Sequence, residues 1–214
     1  MKIGIIGSGV VGRVLATACL KEGYDVMLGT RNISKPEVLQ WKDENPTGDV
    51  GEFSITAKFG EIVILATKGN VILEALLQAG PENFTGKVVI DATNPIDETR
   101  PPVNGVLQFF TEQNSSLLQQ IQHFLPEAKV VKAFNSVGNG VMYKPHHSPK
   151  PTMFICGNDA AAKQTVTEIL TAFGWQTADM GKAESAGAIE SLCILWCIPG
   201  FLQNQWSHAF VLVK

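Results

Sequence analysis

The residues Lys2–Gly12, KIGIIGSGVVG, decide the fold of this chain. An unbroken apolar run leads into Gly7, and two further glycines complete the pattern G-x-G-x-x-G. Apolar residues then recur at helical spacing over Val10–Glu22, so the sequence predicts a strand, a tight turn and a helix. In that context Gly7 permits the turn, Gly9 permits close approach of a pyrophosphate, and Gly12 permits packing of helix against strand.

The N-terminus of this helix is therefore a predicted binding site for the phosphates of a dinucleotide. Free backbone N–H groups and the positive end of the helix dipole favour an anion there. A glycine-rich turn that binds no ligand is the alternative. We predict cofactor contacts from the whole loop, namely Gly7, Ser8, Gly9, Val10, Val11 and Gly12.

The segment Thr30-Arg31-Asn32, which follows the second predicted strand, selects the dinucleotide. An NAD site usually has Asp or Glu here, which accepts hydrogen bonds from the adenosine ribose. This chain has a hydroxyl and a guanidinium instead, and both suit a 2′-phosphate. The sequence thus favours NADP(H), with Ser8, Asn32 and Lys35 as further contacts. The alternative is a solvated arginine.

Strands that are almost unbroken runs of Val and Ile alternate with helical segments along the chain. Such strands belong to parallel sheets that helices cover on both faces. The predicted fold is α/β, a Rossmann-type doubly wound, mainly parallel sheet with a short helical C-terminal extension. We place the NADP-binding domain at residues 1–180 and the extension at 181–214, where it completes the acceptor cleft or a dimer surface. The strands that carry this prediction are Lys2–Gly7, Asp25–Gly29, Glu61–Ala66, Lys87–Asp91 and Lys129–Phe134.

Three of these strands end in polar residues at the edge where ligands bind in open α/β sheets. Asn94 is a candidate for the nicotinamide ribose or carboxamide, with an Asx-turn before Pro95 as the alternative. Asn135 is a candidate for nicotinamide or substrate, with a plain turn as the alternative, whereas Asp91 is expected to make local backbone bonds. The predicted cofactor contacts at these strand ends are Ala66, Thr67, Lys68, Asn94, Pro95 and Asn135.

Other segments are predicted from periodicity alone. Asn45–Glu52 is expected to be a loop, and Gly105–Phe124 a helix with a break around Asn114–Ser116. In the extension, Ala183–Trp196 and Leu202–Val213 are predicted helices separated by a Pro-Gly pair. The extension is strongly apolar, which suits either a tail helix packed on the core or a dimer surface.

Composition excludes several classes of protein. The 214 residues are 45% apolar and 17% charged, which is typical of a globular chain. The net charge of −3 comes without a run of like charges, so neither a nucleic acid nor a membrane surface is an expected partner. We expect no secretory signal, and the longest apolar stretch, 11 residues, is short of the roughly 20 that span a bilayer. Four scattered cysteines suit a reducing cytosol, so a cytoplasmic location is predicted.

No residue is assigned as catalytic or as a metal ligand. His146–His147 is expected to be a mobile surface pair, with substrate or metal contact as the alternative, and Cys193 and Cys197 lack the CxxC spacing of redox pairs. Hydride transfer between two flat redox rings needs proximity and orientation more than a protein acid or base. For an alcohol substrate, Lys68 or Lys132 would be the candidate that handles the proton.

With these motifs in place, the chain resembles the NADPH-dependent deazaflavin (coenzyme F420) reductase family and the cytosolic oxidoreductase domains of STEAP metalloreductases. The resemblance covers nearly the whole length. It implies NADP(H) binding with Ser8, Thr30, Arg31 and Lys35 around the 2′-phosphate. It also implies hydride exchange with a deazaflavin or flavin ring in a cleft against the C-terminal part, often within a homodimer. The motifs that carry it are Ile5–Gly12, Gly29–Asn32, Asp91–Pro95, Val130–Asn135, Gly181–Glu190, Leu192 and His208–Phe210.

The predicted function is an NADPH-dependent oxidoreductase that transfers hydride between NADP(H) and a flavin-like, deazaflavin or quinone-like acceptor. The predicted partners are that small molecule and a second copy of the chain. A non-catalytic NADP(H)-binding redox sensor is the alternative. An imine or β-hydroxyacid reductase is a third hypothesis, but those enzymes use a long helical C-terminal domain, and few residues follow Met180 here.

Overall fold

The computed structural model describes residues 1–213, and within them eight strands form one sheet. Each strand is short, and the central ones consist almost entirely of buried apolar residues. The strands are β1 (Lys2–Ile6), β2 (Asp25–Gly29), β3 (Asp49–Gly51), β4 (Ile62–Leu65), β5 (Val88–Asp91), β6 (Lys129–Lys132), β7 (Thr152–Gly157) and β8 (Gln176–Asp179).

The strand order in the sheet is β3-β2-β1-β4-β5-β6-β7-β8. Strands β1 to β6 pair in parallel, whereas β7 runs antiparallel to β6 and pairs in parallel with β8. The strand order reverses between β1 and β4, and ligands of doubly wound sheets bind at such a switch point. The predicted Rossmann-type, mainly parallel fold is confirmed.

Helices cover both faces of the sheet because successive strand residues point to opposite sides. Ile62 and Ile64 of β4 belong to one core, and Val63 and Leu65 belong to the other. This two-sided burial explains why the strands are unbroken apolar runs. In residues 1–213 the α-helices are α1 (Val10–Lys21), α2 (Pro36–Glu44), α3 (Phe53–Phe59), α4 (Ile72–Ala79), α5 (Leu117–Phe124), α6 (Ala160–Ala172) and α7 (Ala186–Gln203).

The predicted helix over Gly105–Phe124 is wrong in its first half. Only α5 is helical, and it begins after Ser116, whose Oγ accepts a hydrogen bond from the backbone N–H of Gln119 at 3.2 Å. The preceding residues fold back on the end of the β5 loop instead, where the N–H of Phe110 donates to the carbonyl of Pro95 at 2.9 Å. Long-range backbone bonds therefore replace the helical ones that periodicity predicts.

The C-terminal extension also differs from the prediction. One helix, α7, continues through Pro199, and no second helix follows within the described residues up to 213. Pro199 removes only one N–H donor from the helix. Packing stabilises the helix at this point, because Trp206 lies so close to Gly200 that a Cβ on Gly200 would be 2.3 Å from the Trp206 ring. The tail instead runs beside β7, where the N–H of Thr152 donates to the carbonyl of Phe210 at 2.8 Å.

The predicted loop Asn45–Glu52 contains the short strand β3, and α3 follows it. Only three residues long, β3 is held by pairing with β2, and the N–H of Thr30 donates to the carbonyl of Gly51 at 2.9 Å. A strand this short leaves too few residues for a periodic signal.

The helical stretch Ala183–Gln203 is long and apolar enough to cross a membrane, and about a third of it is buried within the protein. Helices in the core of a soluble protein can have this length and composition, but they are mostly buried. Here the stretch carries Glu190, which forms a buried ion pair with Lys132 of the sheet.

Candidate functional site

A cleft of about 470 Å³ lies at the carboxyl ends of β1, β2, β4 and β5. The glycine loop forms its floor, and α4 forms part of one wall. The predicted contacts that line it are Gly7, Ser8, Gly9, Val10, Val11, Thr30, Arg31, Lys35, Ala66, Thr67, Lys68 and Asn94. The others, Gly12, Asn32, Pro95 and Asn135, do not line it. Cofactor contact by any of these residues stays a prediction.

The geometry of the glycine loop fits a pyrophosphate. Gly7 has a φ of +123°, which L side chains rarely adopt, and a Cβ on Gly12 would lie 1.8 Å from the carbonyl oxygen of Gly7. A Cβ on Gly9, by contrast, would meet no protein atom within 4 Å among residues 1–213. Protein packing therefore explains the glycines at 7 and 12 but not the glycine at 9, where the prediction remains that a ligand approaches the N-terminus of α1 closely.

The β2 end of the cleft presents two cations and two hydroxyls. The Oγ of Ser8 donates to the Oγ1 of the buried Thr30 at 3.0 Å. Arg31 is exposed and Lys35 half-buried, and within residues 1–213 neither has a carboxylate within 4.0 Å. Free cations beside a hydroxyl pair, with no acidic side chain lining this end, suit the 2′-phosphate of NADP(H).

Two residues near this end differ in their roles from what the sequence alone indicates. Asn32 does not line the cleft, and its Oδ1 accepts a hydrogen bond from the N–H of Ser34 at 2.9 Å. Arg13, which the sequence analysis missed, donates from Nη1 to the carbonyl of Ser8 at 2.7 Å. Arg13 directly follows the last glycine of the loop and lies near the start of α1. This position in the sequence could have predicted its contact with the loop.

At the opposite end of the cleft, the loops after β4 and β5 bring several polar groups together. Lys68 Nζ lies 2.7 Å from Glu98 Oε1, and both side chains are largely exposed. Thr93 and Asn94 form the wall beyond β5. Lys68 is thus already paired with a carboxylate.

Asn94 and Asn135 are joined side by side, as their predicted positions at one sheet edge suggest. Asn94 Nδ2 donates to the carbonyl of Asn135 at 2.8 Å, and Asn135 Nδ2 donates to Asn94 Oδ1 at 3.1 Å and to the carbonyl of Ile189 at 3.0 Å. The preceding residue, the buried Phe134, has a φ of +65°, a strained conformation that tends to occur at functional sites. Asn135 therefore links the cleft wall to α7 from behind.

A buried ion cluster lies next to these asparagines. Lys132 Nζ is 2.6 Å from Asp91 Oδ2 and 2.7 Å from Glu190 Oε1, and the three side chains are at most 1% exposed. Burial lowers the pKa of the Lys132 ammonium, but the charges of Asp91 and Glu190 outweigh burial and hold the pKa above its ordinary value. Lys132 does not line the cleft, so the candidate proton-handling lysine is a buried structural cation instead.

Asp91 makes the local bonds expected of it, since its Oδ1 accepts from the N–H and the Oγ1 of Thr93 at 2.9 and 2.6 Å. Glu190 had no predicted role, because no motif joins it to β5 or β6. Ala92 and Thr93 line the cleft and belong to the loop after β5, which the sequence predicts to line the cofactor. The wall residues that the sequence analysis missed belong to α3, α4 and the loops after β4 and β5: Phe53, Gly69, Val71, Glu74, Ala75, Gln78, Ile96 and Glu98.

The remaining candidates lie outside the cleft. His147 Nε2 contacts the carbonyl of Ser207 and is half-buried, whereas His146 is exposed. Cys193 and Cys197 lie on α7, the former buried and the latter half-buried. In residues 1–213 no three His, Cys, Asp or Glu side chains form a group that could hold a metal ion.

A doubly wound sheet with a glycine loop at its switch point and a cation-rich pocket beyond β2 defines a dinucleotide-binding oxidoreductase domain. The sequence model of the coenzyme F420-dependent NADP oxidoreductase family matches residues 2–95. A solved structure from Arthrobacter sp. FB24, named as a candidate F420-dependent NADP reductase, is 32% identical, with a TM-score of 0.93 and 100% of both chains covered. The chain belongs to this family, and the predicted class of NADP-dependent oxidoreductase is confirmed.

Two curated relatives are similar to this chain over most of its length. The F420-dependent NADP reductase of Methanocaldococcus jannaschii is 28% identical over 90% of this chain and 89% of its own length. Metalloreductase STEAP3 of Rattus norvegicus is 26% identical over 94% of this chain, which spans only 39% of that relative. The similarity to STEAP3 thus concerns one part of a longer protein.

Proposed function

We propose that the chain binds NADP(H) across the cleft and reduces a flat, flavin-like acceptor, with a deazaflavin such as coenzyme F420 as the first candidate. The observation that carries this proposal is the wall of the cleft. Its titratable side chains, within residues 1–213, are Arg31, Lys35, Lys68, Glu74 and Glu98. The first two lie at the adenosine end, Lys68 and Glu98 form an ion pair, and Glu74 accepts a hydrogen bond from Gln78. Within residues 1–213 no His, Tyr or unpaired Lys lines the rest of the cleft to handle the proton of an alcohol.

The chain's own groups divide the work of binding. The N-terminus of α1 and Gly9 receive the diphosphate, while Thr30, Arg31 and Lys35 hold the 2′-phosphate. Thr67, Thr93 and Asn94 line the region left for the nicotinamide half and orient it. Bound NADPH supplies the hydride, and the protein's contribution is to align donor and acceptor rings and to exclude water.

The name of the archaeal relative supports a deazaflavin as the acceptor, and flavins and quinones are the alternatives. The test is anaerobic stopped-flow absorbance at the NADPH band with deazaflavin, FMN, FAD and a quinone in parallel. We expect acceptor-dependent NADPH oxidation that is fastest with one flat ring system and much slower with NADH. Absence of oxidation with every acceptor would refute the proposal.

We further propose that the enzyme is a cytoplasmic homodimer that pairs through its C-terminal part. Large apolar side chains are exposed on one end of α7 and on the tail, and a large apolar patch on a protein surface marks an interaction site. A second copy of the chain is the proposed occupant. The exposed residues are Leu195, Phe201, Leu202, Trp206, Val211, Leu212 and Val213, and Val103, Val106 and Phe110 of the loop after β5 are exposed as well.

A further inference from the structure

The buried ion cluster lies directly behind the wall of the cleft. The Lys132 ammonium, which bridges Asp91 and Glu190, also donates to the carbonyl of Thr93 at 3.0 Å. Thr93 lines the cleft, so a single residue separates the cluster from any ligand bound there. The cluster is close enough to act on a bound ligand through its charge.

The cluster carries an unbalanced formal charge, since one ammonium faces two carboxylates. Glu190 accepts hydrogen bonds from the N–H groups of Leu117 and Leu118 at the start of α5, at 3.0 and 3.1 Å. These donors form the positive N-terminal end of α5, which offsets about half of one negative charge and leaves the rest in place. Because the side chains are fully buried, solvent ions screen this charge far less than one at the surface.

The other charges that face this end of the cleft do not offset the cluster. Lys68 and Glu98 form a pair that sums to zero. Glu74, exposed on α4, has the same sign as the cluster. The β5 side of the cleft therefore has a net negative potential, in contrast to the cationic β2 side with Arg31 and Lys35.

This polarity coincides with the expected direction of the dinucleotide. The diphosphate lies at the glycine loop and the 2′-phosphate beyond β2, so the nicotinamide half extends over the ends of β4 and β5. The nicotinamide ring is cationic in NADP+ and neutral in NADPH, whereas the rest of the molecule is the same in both. A negative charge behind Thr93 thus distinguishes the two oxidation states.

We propose that the Asp91–Lys132–Glu190 cluster makes the cleft bind the oxidised form of the cofactor in preference to the reduced form, with Glu190 and Asp91 as the residues that set this preference. The inference rests on the proposed NADP(H) site. The cluster acts through its charge and not through contact, and α7 supplies the excess carboxylate.

The test compares dissociation constants of NADP+ and NADPH by titration calorimetry, without any acceptor. Glu190→Gln and Asp91→Asn each replace a carboxylate by an amide of the same shape. We expect the ratio of the NADP+ constant to the NADPH constant to rise about three- to tenfold in either variant. Glu184→Gln removes an exposed charge just before α7 and is the matched control, with an expected ratio equal to that of the wild type.

The same data contain the outcomes that would overturn the proposal. A structural role alone changes both constants by the same factor and leaves the ratio unchanged, and circular dichroism shows which variants are folded. The wild-type protein alone also tests the proposal. We expect its dissociation constant for NADP+ to be no larger than that for NADPH. Clearly tighter binding of NADPH would contradict the role of the cluster. Failure of the wild type to bind either nucleotide would instead refute the proposed function.

Discussion

Arg31 is the residue on which we expect the choice of cofactor to depend. It is exposed, lines the cleft beyond β2, and lies close in sequence to Thr30, whose hydroxyl is bonded to Ser8. We predict that Arg31→Ala weakens NADPH binding by about 1.5–3 kcal/mol, the value of a charged hydrogen bond. NADH lacks the 2′-phosphate, so its binding should hardly change. Fluorescence titration with both nucleotides measures the difference.

Lys150→Ala is a suitable control for Arg31→Ala, because Lys150 is an exposed cation in a loop that does not line the cleft. Its affinities should match those of the wild type. Equal losses of NADPH and NADH affinity in Arg31→Ala would show that the arginine supports the fold or the diphosphate and not the 2′-phosphate.

At the scale of the element, the glycine loop and α1 separate the requirements of folding from those of binding. We predict that Gly12→Ala lowers the free energy of unfolding by about 1–3 kcal/mol or more, because its Cβ would lie 1.8 Å from the Gly7 carbonyl oxygen. The free energy of unfolding of Gly9→Ala should lie within about 0.5 kcal/mol of the wild-type value, but this variant should bind NADPH at least about tenfold more weakly. Thermal unfolding and titration together provide the measurement.

Each of these glycine variants is the control for the other. An unchanged affinity in a folded Gly9→Ala protein would mean that no ligand approaches the loop closely, and the pyrophosphate site would then lie elsewhere.

The end of α1 is held by a pH-dependent contact. Glu22, which follows α1, accepts a hydrogen bond from the Tyr143 hydroxyl at 2.8 Å and lies 3.0 Å from Lys144 Nζ. The hydrogen bond from Lys144, and then that from Tyr143, hold the pKa of Glu22 below its ordinary value of 4.5. The pKa of Glu22 is lower in the folded protein than in the unfolded chain. The contact therefore stabilises the fold at pH values above the ordinary pKa, and this stabilisation is lost as the pH falls through the folded-state pKa.

We therefore predict that Glu22→Gln unfolds at a lower temperature than the wild type near neutral pH, and that the difference disappears once the pH is well below 4.5. Thermal unfolding across that range is the measurement. Glu127→Gln, which removes an exposed carboxylate, should show no such pH-dependent difference. A constant difference between wild type and Glu22→Gln at all pH values would indicate a packing effect.

At the scale of the whole molecule, the proposed dimer depends on the apolar surface of α7 and the tail. We predict that the wild type sediments as a dimer at micromolar concentration and that Leu195→Glu sediments as a monomer. Leu195 is 54% exposed on α7, and Leu39, 52% exposed on α2, is the matched control whose glutamate variant should remain dimeric. A monomeric wild type would refute the proposed dimer.

The sequence analysis succeeded where the signal is local. The three glycines, the apolar strand before them and the helix after them lie within a dozen residues, and steric constraints at Gly7 and Gly12 are enough to define that unit. The order of strands and helices, and the hydroxyl–guanidinium pair at Thr30 and Arg31, follow from similarly short patterns. These features identify the fold class, and they predict the side of the cleft that takes the adenosine phosphate.

Only the tertiary structure decided the parts that depend on distant residues. The segment before α5 is not helical because it bonds to the loop after β5, and α7 continues through Pro199 because its far end is packed against Trp206. The meeting of Asp91, Lys132 and Glu190 has the same origin, since each belongs to a different element. Local sequence determines dihedral preferences and strand or helix periodicity, whereas buried charges and long-range hydrogen bonds find their partners only when the chain packs.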